Sequence, residues 1–273
     1  MEKFEPIRSK DNDFFKRIKS YALSKYRRRD NVLLVEGQKT YDEALSSLTL
    51  VYTVVSESYL SKNREICVGS GTQDGSVQHE HGLRNLRVLS DALFALLSEL
   101  KTSQGILGVF EAPVFDLDIA TLSRVVVLEG VQDPKNVGVI IRTAHCLSYQ
   151  AVFLGAGCAH AYSPKVIRAS MGSSFHVPTV AGSTVGQIEQ LKDSGFLLIG
   201  ADVSGSEELP EGLLVDQKIA LVIGGEGSGL SQEVLMLCDY RFRLKICESA
   251  ESLNAAVASG IIMYILNADL TVS

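Results

Sequence analysis

The sequence predicts an α/β fold built as two domains, and three observations carry that prediction. From Arg124 onward, short Val-, Ile- and Leu-rich runs alternate with longer helix-period segments, the rhythm of a parallel sheet covered on both faces. Residues 1–111 repeat the alternation on a smaller scale, and 112–121, with Pro113 and two aspartates, read as a linker. At 273 residues the chain suits two such domains, 1–111 and 122–273.

Along the first domain, residues 11–27 read as one helix, Val32–Val35 as a strand, and 38–46 as a helix. A strand at Val51–Val55, a short helix at 58–63 and a strand at Ile66–Val68 follow. Gly69–Gly82 is polar and aperiodic, a surface loop. It holds His79 and His81, an H-x-H without the further ligands a metal needs, so no metal site is expected. Asp91–Leu100 reads as a helix and Ile106–Phe110 as a closing strand. In the second domain the expected strands are Val125–Leu128, Ala151–Leu154, Phe196–Gly200, Ala220–Ile223 and Arg241–Ile246. Helices are expected at 136–148, 164–174, 183–194, 231–238 and 252–267.

Composition narrows the class. Apolar residues make up 46% of the chain, enough for ordinary cores, but no apolar run approaches the roughly 18 residues of a membrane span. The first twenty residues carry no apolar signal region. Five scattered cysteines without a C-x-x-C fit reduced thiols, so a cytoplasmic protein without membrane association is expected. The net charge of −6 is uneven: residues 1–110 hold 16 Lys and Arg against 14 acids, whereas 111–273 hold 10 against 18. Residues 1–30 alone carry ten basic groups, with Arg27, Arg28 and Arg29 adjacent. Interleaved with Phe14, Phe15, Tyr21 and Tyr26, they read either as a solvated helix end or as an arm that binds a polyanion, cations meeting phosphates and rings meeting unpaired bases.

Three segments follow strand-like runs, where α/β proteins collect ligand groups. The first is Asp133-Pro134-Lys135-Asn136-Val137-Gly138, running on to Arg142-Thr143. Asn136 stands where a helix N-cap belongs, and reads as a cap or as a site residue. Arg142 lies in an apolar helix, where a guanidinium needs a partner or an anionic ligand. The second is Gly224-Gly225-Glu226-Gly227-Ser228-Gly229-Leu230, a structural turn or a loop that closes on a ligand. Neither G-x-x-x-x-G-K-[ST] nor G-x-G-x-x-G is present, which disfavours a nucleotide or dinucleotide enzyme. Glu226 would repel phosphates but tolerate a sulfonium or pair with Arg142. The third is Glu251-Ser252-Leu253-Asn254, opening a helix with an apolar stripe at Leu253, Val257, Gly260, Ile261 and Tyr264.

In this order the three segments resemble the signature of the SpoU (TrmH-like) RNA 2′-O-ribose methyltransferases of the SPOUT class. Leu34–Thr40 with Glu43-Ala44-Leu45 looks like the opening of that family's N-terminal RNA-substrate-binding domain, and Gln104–Val109 like its last strand; Tyr162–Gly172 matches a further family segment. The resemblance implies a C-terminal SPOUT domain with a deep trefoil knot and S-adenosyl-L-methionine as cofactor. It implies Asn136, Arg142, Glu226, Ser252 and Asn254 as catalytic residues, with Arg142 acting on the ribose hydroxyl. Cofactor contacts fall to Gly224, Gly225, Gly227, Leu244, Ile246 and Leu253, and Lys39 joins Arg27–Arg29 as an RNA contact. The implied assembly is a homodimer, and the implied substrate is ribosomal RNA in preference to transfer RNA. A catalytically inactive RNA-binding protein of the same fold is the alternative. Lys245, Cys247 and Glu248 depart from the family pattern, which usually has a proline and small residues there.

Overall fold

The computed structural model describes residues 4–63, 85–209, 213, 216–247, 249 and 252–267. The chain forms two compact units, Met1–Val114 with Tyr162–Pro164, and Phe115–Ala161 with Lys165–Ser273.

The first unit runs α1 (Asp13–Ser20), α2 (Ser24–Asp30), β1 (Val32–Glu36), α3 (Gln38–Ser47), β2 (Leu50–Ser56), α4 (Glu57–Lys62), β3 (Leu86–Leu89), α5 (Asp91–Ala95) and β4 (Ile106–Glu111). Its mixed sheet has the order β1-β4-β2-β3, with β2 and β3 parallel and the other pairs antiparallel. Phe15 and Ile18, one turn apart on α1, are buried with Leu34, Val54, Leu93, Phe94 and Val109. Each such side chain contributes about 1.5–3 kcal/mol on leaving water.

Here tertiary anchoring overrides local periodicity twice. The single helix expected over 11–27 breaks at Leu23, which is extended (φ −89°, ψ 128°). Buried Tyr21 is fixed beside the break, its hydroxyl donating to Asp30 at 2.7 Å and accepting from Arg17 at 2.9 Å. The helix expected to reach Leu100 stops at Ala95. Beyond it, the Ser98 hydroxyl and the Glu99 N–H (3.1 Å) turn to the buried Glu36 carboxylate. Strand β3 was not expected from the sequence; four residues are too few for an alternation to register. The strand expected at Ile66–Val68 and the loop holding His79 and His81 lie outside the described residues.

The second unit runs β5 (Arg124–Glu129), α6 (Pro134–Cys146), β6 (Ala151–Leu154), α7 (Pro164–Ala169), β7 (Thr179–Ala181), α8 (Thr184–Asp193), β8 (Phe196–Ser206), β9 (Lys218–Gly224), α9 (Gln232–Leu237), β10 (Tyr240–Phe242) and α10 (Ala255–Ile265). All six strands are parallel, in the order β10-β8-β9-β5-β6-β7. Central β5 pairs Val125–Leu128 with Ala151–Leu154 on one side and Ala220–Ile223 on the other, and all twelve residues are buried. Continuous apolar runs are what a two-sided parallel sheet requires.

Three boundaries moved for packing reasons. The helix expected to 174 ends at Ala169, against Gly138 of α6, where a Cβ would stand 2.5 Å from the Ala169 Cβ. The chain then turns through Met171 and Gly172, both at positive φ. The strand expected to reach Ile246 stops at Phe242, because β10 is an edge strand whose continuation leaves the sheet. The last helix starts at Ala255 rather than 252, since Asn254 is its N-cap.

Candidate active site

The C-terminal ends of β5 and β9 and the start of α10 bring the three sequence segments together. The turn after β9 is held backbone to backbone: the Gly229 N–H donates to the Gly225 carbonyl at 2.9 Å, with Gly229 left-handed at φ 63°. Glu129, at the end of β5, accepts from the Ser231 N–H at 2.8 Å and its hydroxyl at 2.9 Å, tying the residue that follows the turn to the end of β5. A Cβ at Gly224 would overlap the Gly229 carbonyl and the Leu230 nitrogen, and one at Gly225 would meet the Gly130 oxygen at 2.5 Å. Glycine is therefore sterically required at both positions. A Cβ at Gly227 would meet nothing within 4 Å.

At the first segment the structure corrects the expected cap. Asp133, not Asn136, caps α6, its Oδ1 accepting from the Lys135 N–H at 2.9 Å, and Pro134 occupies the first turn. Asn136 is thereby free for another partner. Its side chain is buried at 6% exposure, and its amide donates to Glu226 Oε1. Asn254 donates to the same Glu226 oxygen at 2.8 Å and to Asn136 Oδ1 at 3.1 Å, while its own Oδ1 accepts from the Ala256 and Val257 N–H groups at 3.0 and 3.3 Å. Asn254 is thus both helix cap and network member. One residue from each segment closes a ring of side-chain hydrogen bonds around a single carboxylate oxygen.

Arg142 does not pair with Glu226. It is exposed on α6 and makes no hydrogen bond or ion pair with any described residue, so of the two needs read from the sequence, a partner or an anionic ligand, the partner is absent among the described residues. The reason is helical phase: Val137, Ile140, Ile141 and Ala144 take the inward face, leaving Val139 and Arg142 outward.

Beside the network lies a cavity of about 570 Å³, lined by Gly224, Gly225, Glu226, Gly227, Leu244, Ile246, Ser252 and Leu253 among others. Every cofactor-contact residue named from the sequence lines it. Ala201, Asp202 and Val203, at the end of β8, also line it and were not anticipated. The signal was present, since β8 is a parallel strand whose carboxyl end belongs to the ligand side, but a boundary placed at Gly200 hid it. Asp202 accepts from the Ser204 N–H at 3.1 Å and the Ser204 hydroxyl at 2.6 Å. The cradle of glycine backbone, apolar walls and a few carboxylates fits a cationic sulfonium attached to a nucleoside, and would not fit a triphosphate. Burial pushes the Cys158 thiol up and the Cys238 thiol up to about 11, whereas the hydrogen bond with the Ser249 hydroxyl holds the exposed Cys247 thiol, next to Ile246, below its ordinary value.

The basic residues of the first unit divide. Arg28, Arg29 and Lys39 are exposed. Arg29 stacks over Tyr26 at 5.3 Å and hydrogen-bonds Asp30 at 2.7 Å. That bond, with the one from Tyr21, holds the Asp30 carboxyl at about 2. Arg27 is no RNA contact as placed. It is 8% exposed and donates to the Tyr21 carbonyl and, at 3.0 Å, the Ala22 carbonyl, satisfying groups released by the helix break.

Among the described residues no group of acidic, His and Cys side chains could hold a metal, and no helix is long and apolar enough to cross a membrane.

Comparison with known proteins agrees with this geometry. The sequence model of the SpoU rRNA Methylase family matches residues 123–264. A 23S rRNA (guanosine(2553)-2′-O)-methyltransferase from Bacillus subtilis is 32% identical over 261 residues, covering 94% of this chain and 97% of that protein. The SpoU methyltransferase AviRb from Streptomyces viridochromogenes, solved in complex with AdoMet, is 26% identical with a TM-score of 0.73, over 94% of this chain and 97% of that one. An AdoMet-bound rRNA methyltransferase from Sinorhizobium meliloti shares the fold, with a TM-score of 0.77 over 97% and 98% of the two chains at 22% identity. This chain belongs to the SpoU rRNA methylase family.

Proposed function

We propose that this protein is an S-adenosyl-L-methionine-dependent methyltransferase acting on a ribose 2′-oxygen of RNA, with ribosomal RNA as substrate. The observation that carries the reading is the closed Asn136–Glu226–Asn254 network on the wall of the glycine-lined cavity. When bound there, S-adenosyl-L-methionine supplies a sulfonium-borne methyl, which passes to the ribose oxygen and leaves S-adenosylhomocysteine. Glu226 and the two asparagines hold the three loops in one arrangement, so the gain comes from positioning and a fixed electrostatic frame. Arg142 binds the target phosphate and stabilises charge developing on the 2′-oxygen as the hydroxyl proton leaves to water or a carboxylate.

The assembly in this reading is a homodimer. Its support is an apolar face on two packed helices: Val139 of α6 with Val257, Ile261 and Tyr264 of α10, between 40 and 71% exposed. Arg142 projects from that same helix pair, so a second copy would supply the site it reaches. The knotted path of the chain belongs to the same proposal, as does a cytoplasmic location beside the RNA. Ribosomal RNA is favoured because the Bacillus subtilis relative acts on 23S rRNA and matches over nearly the whole chain, first unit included.

Methyl incorporation from labelled S-adenosyl-L-methionine into purified ribosomal and transfer RNA tests the reading. Label in ribosomal RNA with wild type, and none with Arg142→Ala at unchanged cofactor affinity, is expected. Cofactor binding without label in any RNA would favour the inactive RNA-binding alternative, and label confined to transfer RNA would overturn the substrate.

A further inference from the structure

The first unit holds a second cavity, of about 630 Å³, that the methyl-transfer site does not use. It opens where β1, β2 and β3 end, and where the chain enters β4 through Gly105. Gly105 sits at φ 83°, and a Cβ there would stand 2.7 Å from the Ser56 hydroxyl and 2.9 Å from the Tyr59 Cβ, so its backbone is pressed into the cavity floor.

The polar lining is locked into one arrangement. The Gln38 N–H donates to Gln104 Oε1 at 2.6 Å, the Tyr59 hydroxyl donates to Gln38 Oε1, and Gln38 Nε2 donates to Asp42 at 2.7 Å. Asn63 Nδ2 donates to the Tyr59 carbonyl at 3.0 Å. Gln38 thus has both ends of its amide tied, whereas Gln104 and Asn63 each have one end tied and the other without a hydrogen-bond partner among the described residues: Gln104 keeps two N–H donors and Asn63 an acceptor oxygen. Lys62 adds a cation at the rim. Among the described lining residues the one carboxylate is Asp91, which accepts from the Ser58 N–H at 3.1 Å and the Ser58 hydroxyl at 2.7 Å; these donors keep it ionised, below the usual carboxylate range, and Lys62 offsets part of its charge. Next to the cavity, α3 begins at Gly37, where Gln104 Oε1 takes the first free N–H of the helix, that of Gln38, and Lys39 is exposed in the first turn.

Fixed amide donors and an acceptor match the edge of a nucleobase, and the cations Lys62 and Lys39 match a phosphate. The volume lies in the roughly 300–1,000 Å³ range of small-ligand sites. We propose that this cavity takes one unpaired nucleotide of the RNA substrate, Gln104 and Asn63 reading the base and Lys62 with Lys39 meeting the phosphate. The inference rests on RNA being the substrate. It gives the first unit a base-reading role, beyond general attraction to a polyanion.

The test is fluorescence anisotropy of a labelled ten-nucleotide single-stranded RNA of mixed sequence with the full chain. Gln104→Ala and Asn63→Leu should each weaken binding about tenfold, the worth of one charge-neutral hydrogen bond in a preformed site. Lys62→Ala should lower the salt dependence. Asn63→Leu leaves the Gln38–Gln104 contact intact, so it reports even if Gln104→Ala loosens the fold. Binding within twofold of wild type for both amide variants, or no binding of the decamer by wild type, overturns the inference. Methyl incorporation by wild type, measured in parallel, judges the catalytic reading separately.

Discussion

Asn254 donates to Glu226 at 2.8 Å across 28 residues of sequence, and Asn136 donates to that same oxygen from 90 residues away. A carboxylate oxygen shared by two amides couples three loops that no local interaction links.

That coupling is measurable. Glu226→Ala and Asn254→Ala should each reduce methyl transfer, and the double variant should lose less than the sum, with a coupling of about 0.5–3 kcal/mol in the rate. Strict additivity in a double-mutant cycle would mean that the three loops act independently.

Arg27 and its neighbours should separate by assay. Arg27→Ala leaves two carbonyls short of a partner and should lower stability by about 1–3 kcal/mol in denaturant unfolding. Arg28→Ala with Arg29→Ala should leave RNA affinity weaker and its salt slope shallower. An unchanged salt slope would return the pair to a solvated face.

Gly224→Ala should cost about 1–3 kcal/mol and abolish cofactor binding, since the added methyl meets backbone that cannot yield. Gly227→Ala, which meets nothing, is the matched control and should melt like wild type. Calorimetry of both variants with S-adenosyl-L-methionine decides; equal affinities would remove the steric cradle as the cause.

Tyr264→Glu places a charge on a side chain that is 71% exposed in one chain. If two copies meet on α10, light scattering should fall from dimer to monomer mass and methyl transfer should fall with it. A monomeric wild type would refute the assembly outright.

Much of this was legible without coordinates. The apolar runs at Val125–Leu128, Ala151–Leu154 and Ala220–Ile223 announced a two-sided parallel sheet because burial on both faces leaves no room for polar alternation. The motif residues announced the cavity, since glycines that tolerate no Cβ follow from the turn they form. Helix ends were less legible: Tyr21, Glu36 and Gly138 end or shorten neighbouring helices through contacts made elsewhere in the chain.

By itself the sequence determined composition, periodicity and which residue types each loop carries, and these fix the alternation of elements and the chemistry on offer. Only the tertiary structure decided partners: that Asp133 caps α6 and releases Asn136, that Glu226 meets two asparagines instead of Arg142, and that Arg27 faces inward. The physical reason is that a hydrogen bond is directional and short-ranged, so its partner depends on angstrom-scale placement that periodicity does not encode.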